Sequence, residues 1–267
     1  MAILELLGTQ SQGLTASEIV GRLGIEKSIV SRILATLETE GYVIRDSITD
    51  IFRLGFRFVA LAFRYVESVG FYDCCMPELQ RLAEKTGELV QLAVVEREGL
   101  TYVAKAEGTQ RIRLFSQIGR QAVLHASTAG KVWLASLPEA TALALALKTG
   151  LTPVAPRTIR SVDTLRDELA RVRTQGFALL EEELFEGGSA VGVPIWDRRS
   201  AVLVGVVVLA GPTFRLSRDR LVELVPDLTE AARRLGEAWP PDLSATSAYF
   251  TASIGVSDQR SSSSRPR

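Results

Sequence analysis

The chain reads as an α+β protein: an N-terminal winged helix-turn-helix, a linker helix, then a larger α+β domain. Three observations lead there. Residues 14–45 carry two helix patterns separated by a glycine, and a strand-turn-strand pattern follows. From residue 89 the hydrophobic period switches from 3.6 to two. Strand and helix patterns then come in blocks, not in strict alternation, which indicates an antiparallel or mixed sheet.

Thr15 and Glu18 form a Thr-x-x-Glu capping box that starts the first of the paired helices by satisfying orphan backbone donors. Ile19, Val20 and Leu23 give it an apolar stripe, and Gly24 ends it. A second helix is expected over residues 26–40. Val30, Ile33, Leu34 and Leu37 recur at helical spacing and should face inward, leaving Lys27, Ser28, Ser31, Arg32 and Thr36 on the opposite face. Gly41 stops it. Tyr42-Val43-Ile44-Arg45 and Ile51-Phe52-Arg53-Leu54 have strand composition, with turn residues Asp46, Ser47, Thr49 and Asp50 between them. A hairpin directly after the second helix is a wing. Lys and Arg reach guanine edges or phosphates, and Ser and Thr reach either, so this face and the wing residues Arg45 and Arg53 suit double-stranded operator DNA. An ordinary helical hairpin, or a winged helix that binds only protein, would produce the same local pattern.

Global charge gives little support to nucleic acid. The whole chain carries no net charge, and its first seventy residues hold seven basic against eight acidic side chains, a net of −1. DNA binding must therefore rest on where Lys27, Arg32, Arg45 and Arg53 point, and on a second copy doubling the contacts. The 46% hydrophobic content suits a globular chain with a sizeable core. Cys74 and Cys75 are the only cysteines, and neighbours in sequence do not form a relaxed bridge, so a reducing cytoplasm fits. They are either a thiol pair open to oxidants and soft metals or two small packed residues. Residues 1–7 lack the charge and length of a secretion signal, and the longest apolar run, residues 201–210, is half a membrane span.

A linker helix is expected over residues 55–72. Phe58, Leu61, Ala62, Tyr65, Val66 and Val69 form a stripe richer in aromatics than a solvated linker carries. That stripe packs either on the same helix of a second subunit or within one chain. Met76-Pro77 opens the next helix and Gly87 closes it. Residues 89–96, 100–107 and 111–115 read as strands, with Gly99 and Gly108 in the turns. Helices are expected at 126–137, 139–148 and 162–175, the last closed by Gly176. Strands follow at 177–182, 190–196 and 201–210, the third apolar on both faces and therefore central. A final helix runs over 217–239 with Ser217 as its cap, and the Ser-rich segment 240–267 is expected to be disordered. The domains are thus 1–54, 55–72, 73–239 and a tail of 240–267.

Several segments together resemble the IclR-type (isocitrate-lyase-regulator) family of transcriptional regulators. The Lys-Ser-x-Val-x-Arg-x-Leu pattern stands at residues 27–34, Glu-x-Glu-Gly-Tyr-Val at 38–43, and Arg-Leu-Gly at 53–55. Leu124-His125-Ala126, with Gly130-Lys131, is similar to the family's Leu-His-Ala-x-x-x-Gly-Lys segment. Gly176-Phe177, Glu182-Glu183, Gly187, Pro194-Ile195-Trp196-Asp197, Ala210-Gly211-Pro212 and Arg215 follow the rest in order. One departure is the start: family members carry more residues before the first helix, so that helix is clipped or begins upstream.

The resemblance implies a GAF-like effector domain whose small-molecule ligand adjusts the DNA affinity of a homodimer or tetramer. Members that bind small oxo-acids place an Asp, a residue of the next strand, and two Ser at positions matching Leu180, Ala190, Val208 and Ala210, all apolar here. Thr128 and Ala129 match the family's backbone-donor segment. A carboxylate buried among Leu, Val and Ala loses hydration without replacement, which costs several kcal/mol. A largely apolar or aromatic effector is therefore expected.

Catalytic machinery is not legible. His125 is the only histidine, without a Gly-x-Ser-x-Gly elbow, and reads as a structural hydrogen-bond donor. The run Glu181-Glu182-Glu183 reads as a solvated strand edge. No Walker loop or zinc spacing is present, so neither cofactor nor metal is expected, and no membrane partner. The rival reading is a metabolic enzyme, or a protein-binding scaffold, using the winged helix only for assembly.

Overall fold

The computed structural model describes residues 1–97 and 99–244, in two compact units that divide at Ser68 and Val69. The first unit opens with α1 (Ala2–Gly8) and a two-residue strand, β1 (Leu14–Thr15), that the sequence pattern does not reveal. Helix α2 (Ala16–Leu23) begins at Thr15, whose side chain accepts from the Glu18 backbone, while Glu18 accepts in return at 2.8 Å. Gly24 closes it at φ 63°, a left-handed conformation glycine adopts without a Cβ penalty. Helix α3 (Lys27–Thr39), β2 (Val43–Arg45) and β3 (Ile51–Leu54) complete the winged helix. In its sheet β3 lies between β1 and β2, antiparallel to both. Ile3, Leu7, Leu14, Ile19, Val30, Leu34, Val43 and Phe52 form the core of this unit.

Helix α4 (Phe56–Ser68) is the linker helix, and none of its residues is buried. It was expected to run to residue 72. Gly70, at φ 64°, breaks the run and becomes the N-cap of α5 (Phe71–Thr86). Pro77, expected at the start of that helix, lies inside it, because Phe71 and Cys75 bury themselves and draw the helix back by a turn.

The second unit is a five-stranded antiparallel sheet in the order β5-β4-β8-β7-β6. Its parts, in chain order, are β4 (Leu89–Glu96), β5 (Gly99–Ala106), α6 (Thr128–Ser136), α7 (Glu139–Thr149), α8 (Val162–Gln175), β6 (Ala178–Glu181), β7 (Gly188–Trp196), β8 (Leu203–Pro212) and α9 (Arg218–Ala238). Every residue of β8 is buried, as expected for a central strand covered on both faces. Strand alternation assigns Val206, Val208 and Ala210 to the core shared with α6, α7 and α8. On the other face α5 and α9 pack together and on the sheet.

Two expectations fail here. Residues 111–115 do not pair as a strand. The free edge of β5 is taken instead by residues 119–122: Tyr102 N–H donates to the Arg120 carbonyl, and Gly119 and Ala122 N–H donate to the Tyr102 and Leu100 carbonyls. At the C-terminal end, Leu243 and Ser244 N–H donate to the Pro240 carbonyl and Ser244 is buried, so the ordered chain extends to residue 244. The rest of the expected tail, 245–267, lies outside the described residues. Among the described residues no helix is long and apolar enough to cross a membrane.

Candidate DNA-binding and effector sites

Helix α3 is oriented by two residues. Val30 and Leu34 are buried, and their side presses the helix onto the core of the first unit. Lys27, Ser28, Ser31, Arg32 and Thr36 all emerge exposed. Ile33, expected inward, is 37% exposed, as is Ile29. At about 100° per residue Ile33 falls on the rim of the face that Val30 and Leu34 define. Ser28 Oγ donates to Glu26 at 2.6 Å and Thr36 Oγ1 to the Arg32 carbonyl at 3.1 Å. Among the described residues neither Lys27 nor Arg32 has an ion-pair partner.

The wing arginines differ. Arg45 pairs with Asp50 at 2.9 Å and lies over the Phe52 ring, and Arg53 stands 4.0 Å from Asp46. Asp46 also shapes the tip, accepting from the Thr49 and Ile48 backbones at 2.9 Å each. Those bonds hold its carboxyl below the usual carboxylate value. Both ion pairs are exposed and therefore weak, so a phosphate can exchange for either acid. Arg57 fastens α4 to this unit: it donates to the Glu40 carbonyl at 2.5 Å and lies over the Tyr42 ring, which meets Phe58 edge-on.

In the second unit the sheet brings the four apolar positions together. Leu180 stands opposite Ala190, and Ala190 opposite Ala210, so three strands contribute to one cross-strand row. Val208 lies two residues from Ala210 on the same face, opposite Gly192 of β7 and Gln91 of β4. All four belong to the core that includes Ala129. Glu181 points the other way and pairs with Arg218 at 3.1 Å.

Helix α6 begins over this face. Ser127 caps it, accepting from Gly130 N–H at 3.0 Å, which leaves the Thr128 and Ala129 N–H groups as the first-turn donors. Thr128 sits directly on Gly192: a Cβ there would come within 2.8 Å of the Thr128 Cβ. Only glycine lets the helix start approach the sheet so closely.

Sequence reasoning missed the polar groups on this face. Gln91, buried, donates to Ser116 Oγ at 2.5 Å. Lys105, opposite Gln91 in the sheet, donates to the Ser116 carbonyl at 3.0 Å and to Glu107 at 2.8 Å. Tyr102 shares a hydrogen bond with Ser127, and burial pushes its phenol up to about 12. The pairing of Gln91 with Val208 depends on joining β4 to β8, which local periodicity does not reveal.

The glutamate run is not a solvated edge. Glu183 and Glu168 close on the fully buried Lys131 at 2.6 and 3.2 Å, Glu182 accepts from Gly187 N–H at 3.0 Å, and Glu181 holds Arg218. Burial raises the Glu183 carboxyl against the pull of Lys131. Arg215 clamps the buried Glu88 with two bonds of 2.6 and 3.1 Å. His125 Nε2 donates to the Thr152 carbonyl at 3.0 Å, as expected of a structural histidine. Burial raises both cysteine thiols, Cys75 to about 12, so neither is a thiolate at neutral pH and the oxidant-sensing reading loses its chemistry.

Comparisons with known proteins agree with this geometry. Residues 63–237 match the profile described as bacterial transcriptional regulator IclR C-terminal, and residues 1–47 match the IclR helix-turn-helix domain. The HTH-type transcriptional regulator XynR of Escherichia coli is 32% identical over 239 residues, 89% of this chain and 94% of that protein. An IclR transcriptional regulator from Alicyclobacillus acidocaldarius superposes with a TM-score of 0.78 at 26% identity, covering 89% and 95% of the two chains. An IclR homologue from Microbacterium hydrocarbonoxydans, solved with 4-hydroxybenzoate, shares the fold with a TM-score of 0.72 at 24% identity, covering 91% and 98%.

Proposed function

The chain belongs to the IclR family of bacterial transcriptional regulators, and from that premise we propose how its two units do their work. It is a helix-turn-helix regulator and not an enzyme; the rival reading, a metabolic enzyme or scaffold that uses the winged helix only for assembly, finds no support among its relatives. In the cytoplasm it binds operator DNA with Lys27, Ser28, Ser31, Arg32 and Thr36 in the major groove and Arg45 and Arg53 of the wing on phosphates. The observation that carries this reading is the division of α3: Val30 and Leu34 hold it down while the five polar residues are exposed to solvent. A first unit of net charge −1 needs a second copy to bind well. The wholly unburied α4, with Leu61 and Tyr65 about half exposed, supplies an apolar surface for a homodimer or tetramer. A gel shift against the intergenic DNA beside its own gene tests this. A shift competed by the same fragment and not by unrelated DNA is expected, and none at physiological salt overturns it.

The effector lies beside the start of α6, at Thr128 and Ala129, on the sheet face bearing Leu180, Ala190, Val208 and Ala210. Its occupancy shifts the population of the DNA-competent arrangement of the dimer. The apolar row favours a ligand with a large apolar or aromatic surface, which gains about 25 cal/mol per Å² buried. The 4-hydroxybenzoate bound by the Microbacterium homologue is of that class. A thermal-shift panel of pyruvate-like acids against simple aromatics decides it, and stabilisation by the short acids alone overturns the reading.

A further inference from the structure

Ser116 is held by two residues that belong to the sheet face of the effector site. Gln91 takes its hydroxyl and Lys105 its carbonyl, at 2.5 and 3.0 Å. Neither comes from the loop itself: Gln91 is on β4 and Lys105 on β5, directly opposite each other. The same cross-strand row continues through Val208 on β8 to Gly192 on β7, over which Thr128 sits. Along this row the Thr128 end and the Gln91 end are two strand spacings apart, about 10 Å. An apolar floor, Val208, lies between a helix start with free N–H donors at one end and an amide and an ammonium at the other.

The ammonium is only partly engaged. Lys105 is part-exposed on β5, its Nζ 5.2 Å from the centre of the Phe115 ring. Leu114, the next residue back, packs on the core that includes Val208. Among the described residues the one carboxylate paired with Lys105 is Glu107, two residues along, which also pairs with Arg113 at 3.1 Å. A second acceptor at Lys105 is the Ser116 carbonyl, a neutral group in a position an anion would fill better.

We propose that Gln91 and Lys105 are the polar end of the effector site and that the effector carries an anionic group, a carboxylate on a ring, which takes Lys105 and Gln91 from Ser116. The proposal rests on the effector site assigned above. Exchange of partners at Ser116 frees that stretch of the loop from the sheet while residues 119–122 stay paired to β5, so ligand arrival is felt in the chain segment that leads into α6. The orientation follows from the row: the anionic group at Lys105, the ring over Val208, and any second polar substituent at the Thr128 N–H. Arg would serve in place of Lys105, since the charge is retained, whereas Met would fill the space without it.

Calorimetric titration of the full chain with benzoate and with benzamide, its uncharged near-isostere, tests this. The wild type should bind benzoate at least tenfold more tightly, Lys105→Met should abolish that preference while still binding benzamide, and Lys105→Arg should keep it. Amide hydrogen exchange in residues 110–120 should speed up on adding benzoate and should already be fast in Gln91→Leu. Equal binding of the two probes by the wild type, or a benzoate preference that survives Lys105→Met, overturns the assignment of Lys105 while leaving an aromatic site standing. Binding of neither probe overturns the aromatic site and this inference together. A circular-dichroism melt of each variant separates lost affinity from lost fold.

Discussion

Lys131 and Glu183 meet at 2.6 Å beneath the sheet edge, the lysine wholly removed from solvent and the carboxylate nearly so. The pair ties α6 to the segment that follows β6, and Glu168 of α8 and the Leu179 carbonyl complete the lysine's partners at 3.2 and 3.4 Å. Breaking a buried pair from one side leaves the other charge without compensation, which typically costs about 3–5 kcal/mol. Lys131→Ala should lower the urea midpoint accordingly. Lys131→Met with Glu183→Gln should recover much of the loss, and a single variant as stable as wild type would contradict the pairing.

Arg32 stands on the exposed face of α3, opposite Val30 and Leu34. Arg32→Ala should weaken operator binding by about 1–3 kcal/mol, the worth of one good base or phosphate contact. Its unfolding midpoint should stay where it was. Titration at fixed salt measures the first and urea the second, and unchanged DNA affinity would remove Arg32 from the interface.

The bare surface of α4 sets the expectation for assembly. Leu61→Glu combined with Tyr65→Glu should convert a sedimenting dimer into a monomer and cost most of the operator affinity, because two linked half-sites become one. The double variant should keep the helix content of the wild type. A wild-type chain that sediments as a monomer with and without DNA would defeat the proposal.

His125 is the chain's single histidine, so any histidine-derived pH dependence belongs to it. Burial holds its imidazole below the ordinary value of 6.5, with the nearby Lys131 acting in the same direction. The unfolded chain therefore binds the proton more readily than the folded one. Stability should be full above pH 6.5 and should fall as the pH drops below it. Glu183, raised above 4.5, acts in the opposite sense at lower pH, so the measurement belongs between pH 7.5 and 6. His125→Asn should flatten the slope of the unfolding free energy over that range.

Local chemistry made the first unit legible. The Thr15–Glu18 box, Gly24 and the Val30–Leu34 spacing each act within one helical turn, and each is found where the residues indicate. Exposure of Ile33 was not foreseeable, because only the tilt of α3 on its core decides which rim residue is covered. In the second unit the strands were legible but their partners were not. Residues 111–115 have the pattern of a strand, yet 119–122 occupy the edge of β5. Glu183 looked solvated because its partner, Lys131, lies 52 positions back in a helix buried on every side. The same blindness hid Gln91 and Lys105, whose place in the site exists only once β4 lies between β5 and β8.

The register of that central strand also sets the order in which the molecule assembles. Leu89 of β4 pairs with Ala210 of β8, roughly 120 residues later in the chain. Closing so wide a loop is entropically slow, and nothing nearer in sequence can substitute for β8 between β4 and β7. On the ribosome the winged helix, whose strands join neighbours within about forty residues, can fold while β4 and β5 still wait as an open hairpin. The apolar edge of β4 remains uncovered until β8 has been made. That interval is when the nascent chain is most exposed to strand-pairing with its neighbours, and when a chaperone would find it.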